Sequence, residues 1–257
     1  MARPISLFLD VDGTLLEFAP HPDSVVVEPA LVQLLNELSD SLGGAIALVS
    51  GRSIESLDRL FAPFRSAAVG LHGIEIRTAP DQPVRRLDVA PAPAPLRASI
   101  DRIIRRFGSS FAEDKGFGVA VHHRLLNDGA EVLHREVRQA VSPYADRWTV
   151  MRGRQVVEVK PAEATKARGC DALLASVPFA GTHPVAFGDD ITDLDMFESV
   201  KRHHGTTIAV GPRITGAGDL RIASPRHSLA LLQTIRDERR AGHSTATLLQ
   251  SLRAAAR

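Results

Sequence analysis

The chain has 257 residues, 44% of them hydrophobic and 24% charged, with a formal net charge of +1. That length suits one large domain or two small ones. The balanced charge excludes a global field for nucleic acid or an anionic membrane, so any anion site must be local, and the single cysteine, Cys170, excludes an internal disulfide or a cysteine-based zinc site.

Met1-Ala2-Arg3-Pro4 leads straight into the first apolar run, with no signal-peptide pattern. No apolar run is long enough to span a bilayer, so a cytoplasmic protein is expected. Ser6-Leu7-Phe8-Leu9 then ends in Asp10-Val11-Asp12-Gly13-Thr14. A short apolar run bounded by a turn predicts a buried strand. Two acids at its C-terminal end need a reason, because unpaired buried charge is costly. In open parallel sheets, ligands bind outside the carboxyl ends of strands.

Leu31, Leu34, Leu35, Leu38 and Leu42 have helical spacing, stopped by Gly43-Gly44. Residues 45–49 predict a second buried strand, ending in Ser50-Gly51-Arg52. A helix follows with Ser53 as its N-cap. Residues 67–71 predict a third strand, ending at His72-Gly73. This β-α-β-α-β rhythm, with polar groups at every strand end, predicts a doubly wound parallel sheet with right-handed crossovers. Residues 74–77 and 84–87 predict a hairpin, and Pro91-Ala92-Pro93-Ala94-Pro95 reads as a linker.

A helix over 96–107, strands near 110–114 and 117–122, a helix over 129–141 and strands near 148–151 and 155–159 read as an inserted α+β module at 88–159. The α/β rhythm resumes with a helix over 165–174, where Cys170 reads as an inert packed thiol. The strand 184–187 ends in Gly188-Asp189-Asp190-Ile191-Thr192-Asp193. A helix to Val200, a strand at 206–210 and a helix from Ser228 complete a core formed by residues 1–87 and 160–240. The basic C-terminal tail, 241–257, carries Leu248, Leu249 and Leu252 and reads either as a helix packed on the core or as a frayed terminus, of which the solvated tail is the expectation.

Acids clustered at strand ends cannot all ionise without a compensating cation. Oxygen ligands without His or Cys imply a hard ion, and Mg²⁺ suits phosphate chemistry. Lys160 or Lys166 would balance a phosphate, and a carboxylate held by the ion can act as a nucleophile, forming an aspartyl phosphate.

Asp10-Val11-Asp12-Gly13-Thr14, Ser50, Lys166 and Gly188-Asp189-Asp190 with Asp193 resemble the four motifs of the haloacid dehalogenase (HAD) superfamily, in order. Phe18-Ala19-Pro20-His21-Pro22, Ser50-Gly51-Arg52, His72-Gly73-Ile74-Glu75, Glu113-Asp114-Lys115-Gly116, His122-His123-Arg124 and Val157-Glu158-Val159-Lys160-Pro161 narrow the resemblance to the trehalose-6-phosphate phosphatase family. It covers residues 5–232 and implies a HAD-like, Rossmann-like α/β core with an inserted cap.

The resemblance implies a Mg²⁺-dependent phosphatase acting on a small sugar phosphate, trehalose 6-phosphate. Asp10 is then the nucleophile and Asp12 the proton carrier. Asp10, Asp189 and the Asp12 carbonyl hold the metal. Ser50 and Lys166 hold phosphate oxygens, and Gly51, Arg52 and His72 stand with the substrate. Asp193, with Asp190 beside it, orients Lys166 or metal-bound water. Cap residues Glu113, Lys115, Arg124, Arg154 and Glu158 grip sugar hydroxyls. A separate trehalose-phosphate synthase is implied as a functional partner. Departures from the family pattern fall at Ala162-Glu163, Ala167, Leu194, His123 and Arg154. The alternatives are another capped sugar-phosphatase, acting on sucrose phosphate or a glycosyl-phosphoglycerate, and an inactive regulatory module.

Overall fold

A computed structural model describes residues 3–17, 25–108, 110–123, 129–153, 156–214 and 216–256. The Phe18 to Pro22 stretch lies outside them, as do Arg124 and Arg154. The chain begins with β1 (Ile5–Leu9), α1 (Pro29–Ser41), β2 (Ile46–Val49), α2 (Ile54–Leu60), β3 (Ala67–Gly70), β4 (Glu75–Arg77) and β5 (Arg85–Arg86). It continues with α3 (Ala94–Arg106), β6 (Phe111–Asp114), β7 (Val119–His122), α4 (Ala130–Val141), β8 (Trp148–Gly153) and β9 (Val156–Pro161). Then come α5 (Lys166–Leu174), β10 (His183–Gly188), α6 (Leu194–Arg202), β11 (Thr206–Val210), β12 (Leu220–Ile222), α7 (Pro225–Arg240) and α8 (Thr245–Ala255).

Two compact units result, residues 1–87 with 165–257 and residues 88–164. The second unit continues past residue 159 because β9 runs on to Pro161.

The first unit is built on an eight-stranded sheet in the order β12-β11-β10-β1-β2-β3-β4-β5. The strands from β12 to β3 are parallel. Side chains alternate across β1 with the period of two that a strand imposes. Ile5, Leu7 and Leu9 join an apolar cluster with α1, α7 and α8, while Phe8 joins Phe179, Cys170, Met196 and Phe197 in a cluster with α5 and α6. Helices therefore cover both faces, as a buried parallel sheet requires. The Cys170 thiol is buried and burial pushes its pKa up, in keeping with an inert packing role.

Two features differ from expectation. The hairpin joins the sheet: β4 pairs antiparallel with β3, and β5 with β4, so the sheet is mixed. Buried polar groups tie it there. The Arg77 guanidinium spans the Asp58 carboxylate at 2.6 and 2.7 Å, and Glu75 accepts from the backbone N of Ile54 at 2.8 Å at the start of α2. The C-terminal tail, expected to be solvated, is helix α8. Ser244 caps it by accepting from Thr247 N, and Leu248 and Leu252 are fully buried against α7. Their spacing of four residues is a helical stripe.

The second unit is an antiparallel sheet in the order β6-β7-β9-β8. Val119, Val121, Val157, Val159 and Trp148 form its apolar cluster with Leu96 and Ile100 of α3 and Leu133, Val137 and Val141 of α4. Within this unit the buried rings of His123 and His134 meet edge to face, with Nε2 atoms 3.3 Å apart. No described helix of either unit is long and apolar enough to cross a membrane.

Candidate active site

Parallel pairing brings the acids to one edge. Leu9 of β1 is in register with Phe187 of β10, and Asp10 N donates to the Phe187 carbonyl at 3.1 Å. Asp10 and Asp189 thus leave adjacent strands at the same end. Ser50 leaves β2 beside them, its N donating to the Val69 carbonyl at 2.8 Å. Gly13 turns the chain back over Asp189 with φ +91°, and a Cβ there would lie 2.4 Å from the Asp189 carboxylate. Only glycine meets both conditions.

Lys166 opens α5, which Thr165 caps by accepting from Arg168 N at 3.2 Å. Gly73, at φ +103°, lets the Thr165 carbonyl approach so closely that a Cβ would sit 2.1 Å from it, and this seats α5 against the end of β3. The Lys166 ammonium donates to Asp10 Oδ1 at 2.7 Å and to Asp193 Oδ1 at 2.6 Å. The other oxygen of Asp193 accepts from the backbone N of Asp189 and of Asp190, both at 3.0 Å. Asp193 thereby fixes both the lysine and the turn that carries Asp189.

Asp10, Lys166, Asp189 and Asp193 are all buried. Burial, reinforced by Asp193, raises the Asp10 pKa to about 7 against the pull of Lys166. Burial, with Asp10 and Asp193 nearby, raises that of Asp189 to about 8. Burial works against the charge on Lys166, but the two facing carboxylates outweigh it and hold its pKa above the ordinary value. One ammonium faces three carboxylates, so the cluster lacks positive charge.

The cluster fits a metal ion. Carboxylate oxygens of Asp10, Asp189 and Asp193 lie within 4.8 Å of one another. Asp10 Oδ2 and Asp189 Oδ1 are buried without a hydrogen-bond partner, whereas both oxygens of Asp193 already accept hydrogen bonds. Buried polar atoms left unpaired mark the place of a missing partner. A cation bound to those two oxygens would supply the partner and the charge. A donor set of oxygens alone suits a hard ion.

The cavity beside the cluster measures about 150 Å³ and is lined by Asp10, Asp12, Ser50, Gly51, His72, Lys166, Asp189, Asp190, Thr192 and Asp193. His72 lies against Gly51. A larger cavity of about 770 Å³, lined by residues between β1 and α1 together with α1 and α7, carries none of these groups. Lys160, the alternative lysine, is buried and donates to the Ala164 carbonyl. Ser53 caps α2, which leaves the Ser50 hydroxyl free of that duty. Arg52, expected with the substrate, grips Asp12: Nε donates to Oδ2 at 2.8 Å and Nη2 to Oδ1 at 2.7 Å. No pattern in the chain marks that pair in advance, because 40 residues separate the two side chains.

In the second unit, register places Glu113, Ala120 and Glu158 in one row across β6, β7 and β9. Glu113 accepts from Lys115 at 2.6 Å and meets His122 Nε2 at 2.8 Å. Burial opposes its charge, but these two partners together lower its pKa. Burial raises that of Glu158. His122, stacked on Phe111 with ring centres 4.7 Å apart, is a member of this cluster that the sequence analysis quotes in a motif but gives no role. Its position two residues after Ala120 on the same strand face could have found it. Arg124 and Arg154, expected here, lie outside the described residues.

The trehalose-phosphatase family model matches residues 8–225, a span that holds the whole acid and lysine cluster. The chain is 40% identical over 209 residues to a probable trehalose-phosphate phosphatase of Sinorhizobium fredii, covering 81% of this chain and 78% of that one. It is 33% identical over 219 residues to the trehalose-6-phosphate phosphatase of Escherichia coli, covering 82% and 79%. Two solved structures share the fold. The C-terminal domain of C. albicans trehalose-6-phosphate phosphatase superposes with a TM-score of 0.77 at 20% identity, over 92% of this chain and 93% of that one. A Bacteroides thetaiotaomicron phosphatase of the haloalkanoate (HAD) enzyme superfamily superposes at 0.60 and 23% identity, over 92% and 95%. Sequence and fold agree with the strand-end cluster of acids and lysine, and the chain belongs to the trehalose-phosphatase family.

Proposed function

We propose that this protein hydrolyses trehalose 6-phosphate to trehalose and phosphate, with Asp10 as nucleophile. The observation that carries the reading is the buried Asp10–Lys166–Asp193 chain beside Asp189, within the family span. Asp10 attacks phosphorus through one carboxylate oxygen as the bond to the sugar oxygen breaks. Asp12 gives its proton to that oxygen and trehalose leaves. Water then attacks the aspartyl phosphate, Asp12 takes the water's proton, and Asp10 is released with phosphate. Lys166 holds Asp10 in its attacking rotamer and faces the charge that grows on the phosphoryl oxygens. Ser50 and the Gly51 backbone line the phosphate side of the cavity. Asp193 keeps Lys166 in place.

Asp10, Asp189 and the Asp12 carbonyl would hold Mg²⁺, which would supply neutralisation of phosphate charge and so ease attack by an anion. Glu113, Lys115 and Glu158 recognise sugar hydroxyls, with Arg124, Arg154 and His72 in the same role. A trehalose-phosphate synthase, as the source of the sugar phosphate, is the functional partner.

The test is phosphate release from trehalose 6-phosphate, sucrose 6-phosphate and glucose 6-phosphate, with Mg²⁺ and with EDTA. Trehalose 6-phosphate is expected to lead, EDTA to stop turnover, and Asp10→Asn to lose at least about 10³-fold in kcat, as removal of a nucleophile does. A lead for sucrose 6-phosphate would move the substrate assignment. Turnover surviving in Asp10→Asn would overturn the covalent route.

A further inference from the structure

We infer that Arg52 is a positioning residue for the proton carrier Asp12, and not a ligand of the substrate phosphate. This rests on the proposed role of Asp12 in the reaction above.

The geometry is that of a fork. Two nitrogens of one guanidinium meet two oxygens of one carboxylate, at 2.8 and 2.7 Å. An Asp side chain turns easily about its last torsion, which has broad wells. A bidentate fork removes that freedom, because the plane of the carboxylate must match the plane of the guanidinium. It uses one lone pair on each oxygen and leaves the other open. The proton of the first step and the proton taken from water in the second can both use the open side.

Both ends of the fork stand on fixed backbone. Arg52 N donates to Ser50 Oγ at 3.1 Å, and the Arg52 carbonyl accepts from Leu71 N at 2.9 Å. On the other side, Gly13 N donates to the Leu16 carbonyl at 2.8 Å and Leu16 N to the Val11 carbonyl at 3.0 Å, closing the loop that carries Asp12. The cavity wall formed by the described residues includes Asp12, Ser50 and Gly51 but not Arg52. Arg52 therefore reaches the reacting groups through Asp12. The pair is unequally exposed, 15% for the arginine side chain and 31% for the carboxylate. The carboxylate is the end that meets the leaving group and water. The consequence of the fork at the site is the orientation of that carboxylate.

The test separates proton transfer from phosphate binding by the leaving group. An alkyl phosphate such as glycerol 2-phosphate leaves as a poor alkoxide and needs the proton from Asp12. An aryl phosphate such as 4-nitrophenyl phosphate leaves as a stable phenolate and does not. The quantity read is kcat/KM, which stops at phosphoryl transfer and excludes the later hydrolysis of the aspartyl phosphate. Arg52→Gln is expected to lose about 10²-fold with the alkyl ester and less than about threefold with the aryl ester. With the aryl ester it should also show a burst of one nitrophenol per enzyme, since water attack still needs a placed Asp12. Arg52→Lys restores the charge without the fork and should keep the split.

In an Asp12→Asn background, Arg52→Gln should cause no further loss with the alkyl ester. Equal losses for both esters would make Arg52 a phosphate ligand and overturn the inference. So would full recovery in Arg52→Lys, or additive losses in the double variant. Neither ester carries trehalose, so a wild-type chain that cleaves them and not trehalose 6-phosphate would sink the proposed substrate while leaving this comparison intact. Should Arg52→Gln fail to fold, the split in Arg52→Lys decides the matter.

Discussion

The acid cluster makes folding stability depend on pH in a direction opposite to that of an ordinary salt-bridged carboxylate. Asp189 titrates at about 8 in the folded chain because it is buried beside Asp10 and Asp193. In the unfolded chain it titrates near ~4. Below pH 4 both states hold the proton and there is no penalty. As pH rises from 4 to 8 the unfolded chain ionises and the folded chain does not, so stability is lost across that window. About four pKa steps at ~1.4 kcal/mol each put the full loss on the order of 5 kcal/mol. Asp189→Asn keeps the size of the side chain and cannot ionise. Without metal, its Tm at pH 8 should exceed that of the wild type by on the order of 10 °C, and the two should converge near pH 4.

Mg²⁺ at a hundred times its Kd should return about 2.7 kcal/mol to the wild type and nothing to the variant. Scanning calorimetry across pH 4 to 8, with EDTA and with Mg²⁺, reads all of this. A wild-type Tm that is flat across the window, or a variant curve parallel to it, would refute the reasoning. So would equal stabilisation of both chains by Mg²⁺.

Glu113→Gln and Glu158→Gln should each lower kcat/KM for trehalose 6-phosphate by about 10- to 100-fold, a lost polar contact to sugar, while sparing 4-nitrophenyl phosphate; equal loss on both substrates would remove the sugar role. Leu252→Ala should cost about 2–5 kcal/mol in urea denaturation, as truncation of a buried leucine does, and no change would return the C-terminal segment to a solvated tail. His134 is held at about 4 by burial, with Arg152 and His123 adding to the effect. The unfolded chain takes up that proton near ~6.5, so the chain should lose on the order of 3 kcal/mol as pH falls from 6.5 to 4. His134→Phe should flatten that acid limb.

The parallel core was legible because each strand is short, apolar and closed by a polar turn, and each helix shows its stripe. Asp10, Ser50, Lys166 and Asp189 were candidates for the same reason: each stands at the end of an element, where a charge has no packing role. What escaped is decided by pairing between distant segments. The hairpin of β4 and β5 was expected and is present, but nothing in its own residues says that it pairs with β3. It joins the sheet because Glu75 and Arg77 find partners at Ile54 and Asp58. α8 was one of two readings of the tail, and the solvated end was preferred because its leucines sit among small and polar residues that suit either.

Arg52 shows most clearly where sequence reasoning stops. Its position after Ser50-Gly51, at the end of a strand whose neighbours hold phosphate-type groups, is equally good for a phosphate contact and for a carboxylate contact. Both are anions, and an arginine fork suits either. The choice depends on the distance between the loop after β1 and the loop after β2. That distance follows from the register of Leu9 with Leu48 and from a turn that only Gly13 permits. With those two set, the guanidinium lies within hydrogen-bond reach of Asp12. The residue type was visible in the chain, but this contact depends on the register.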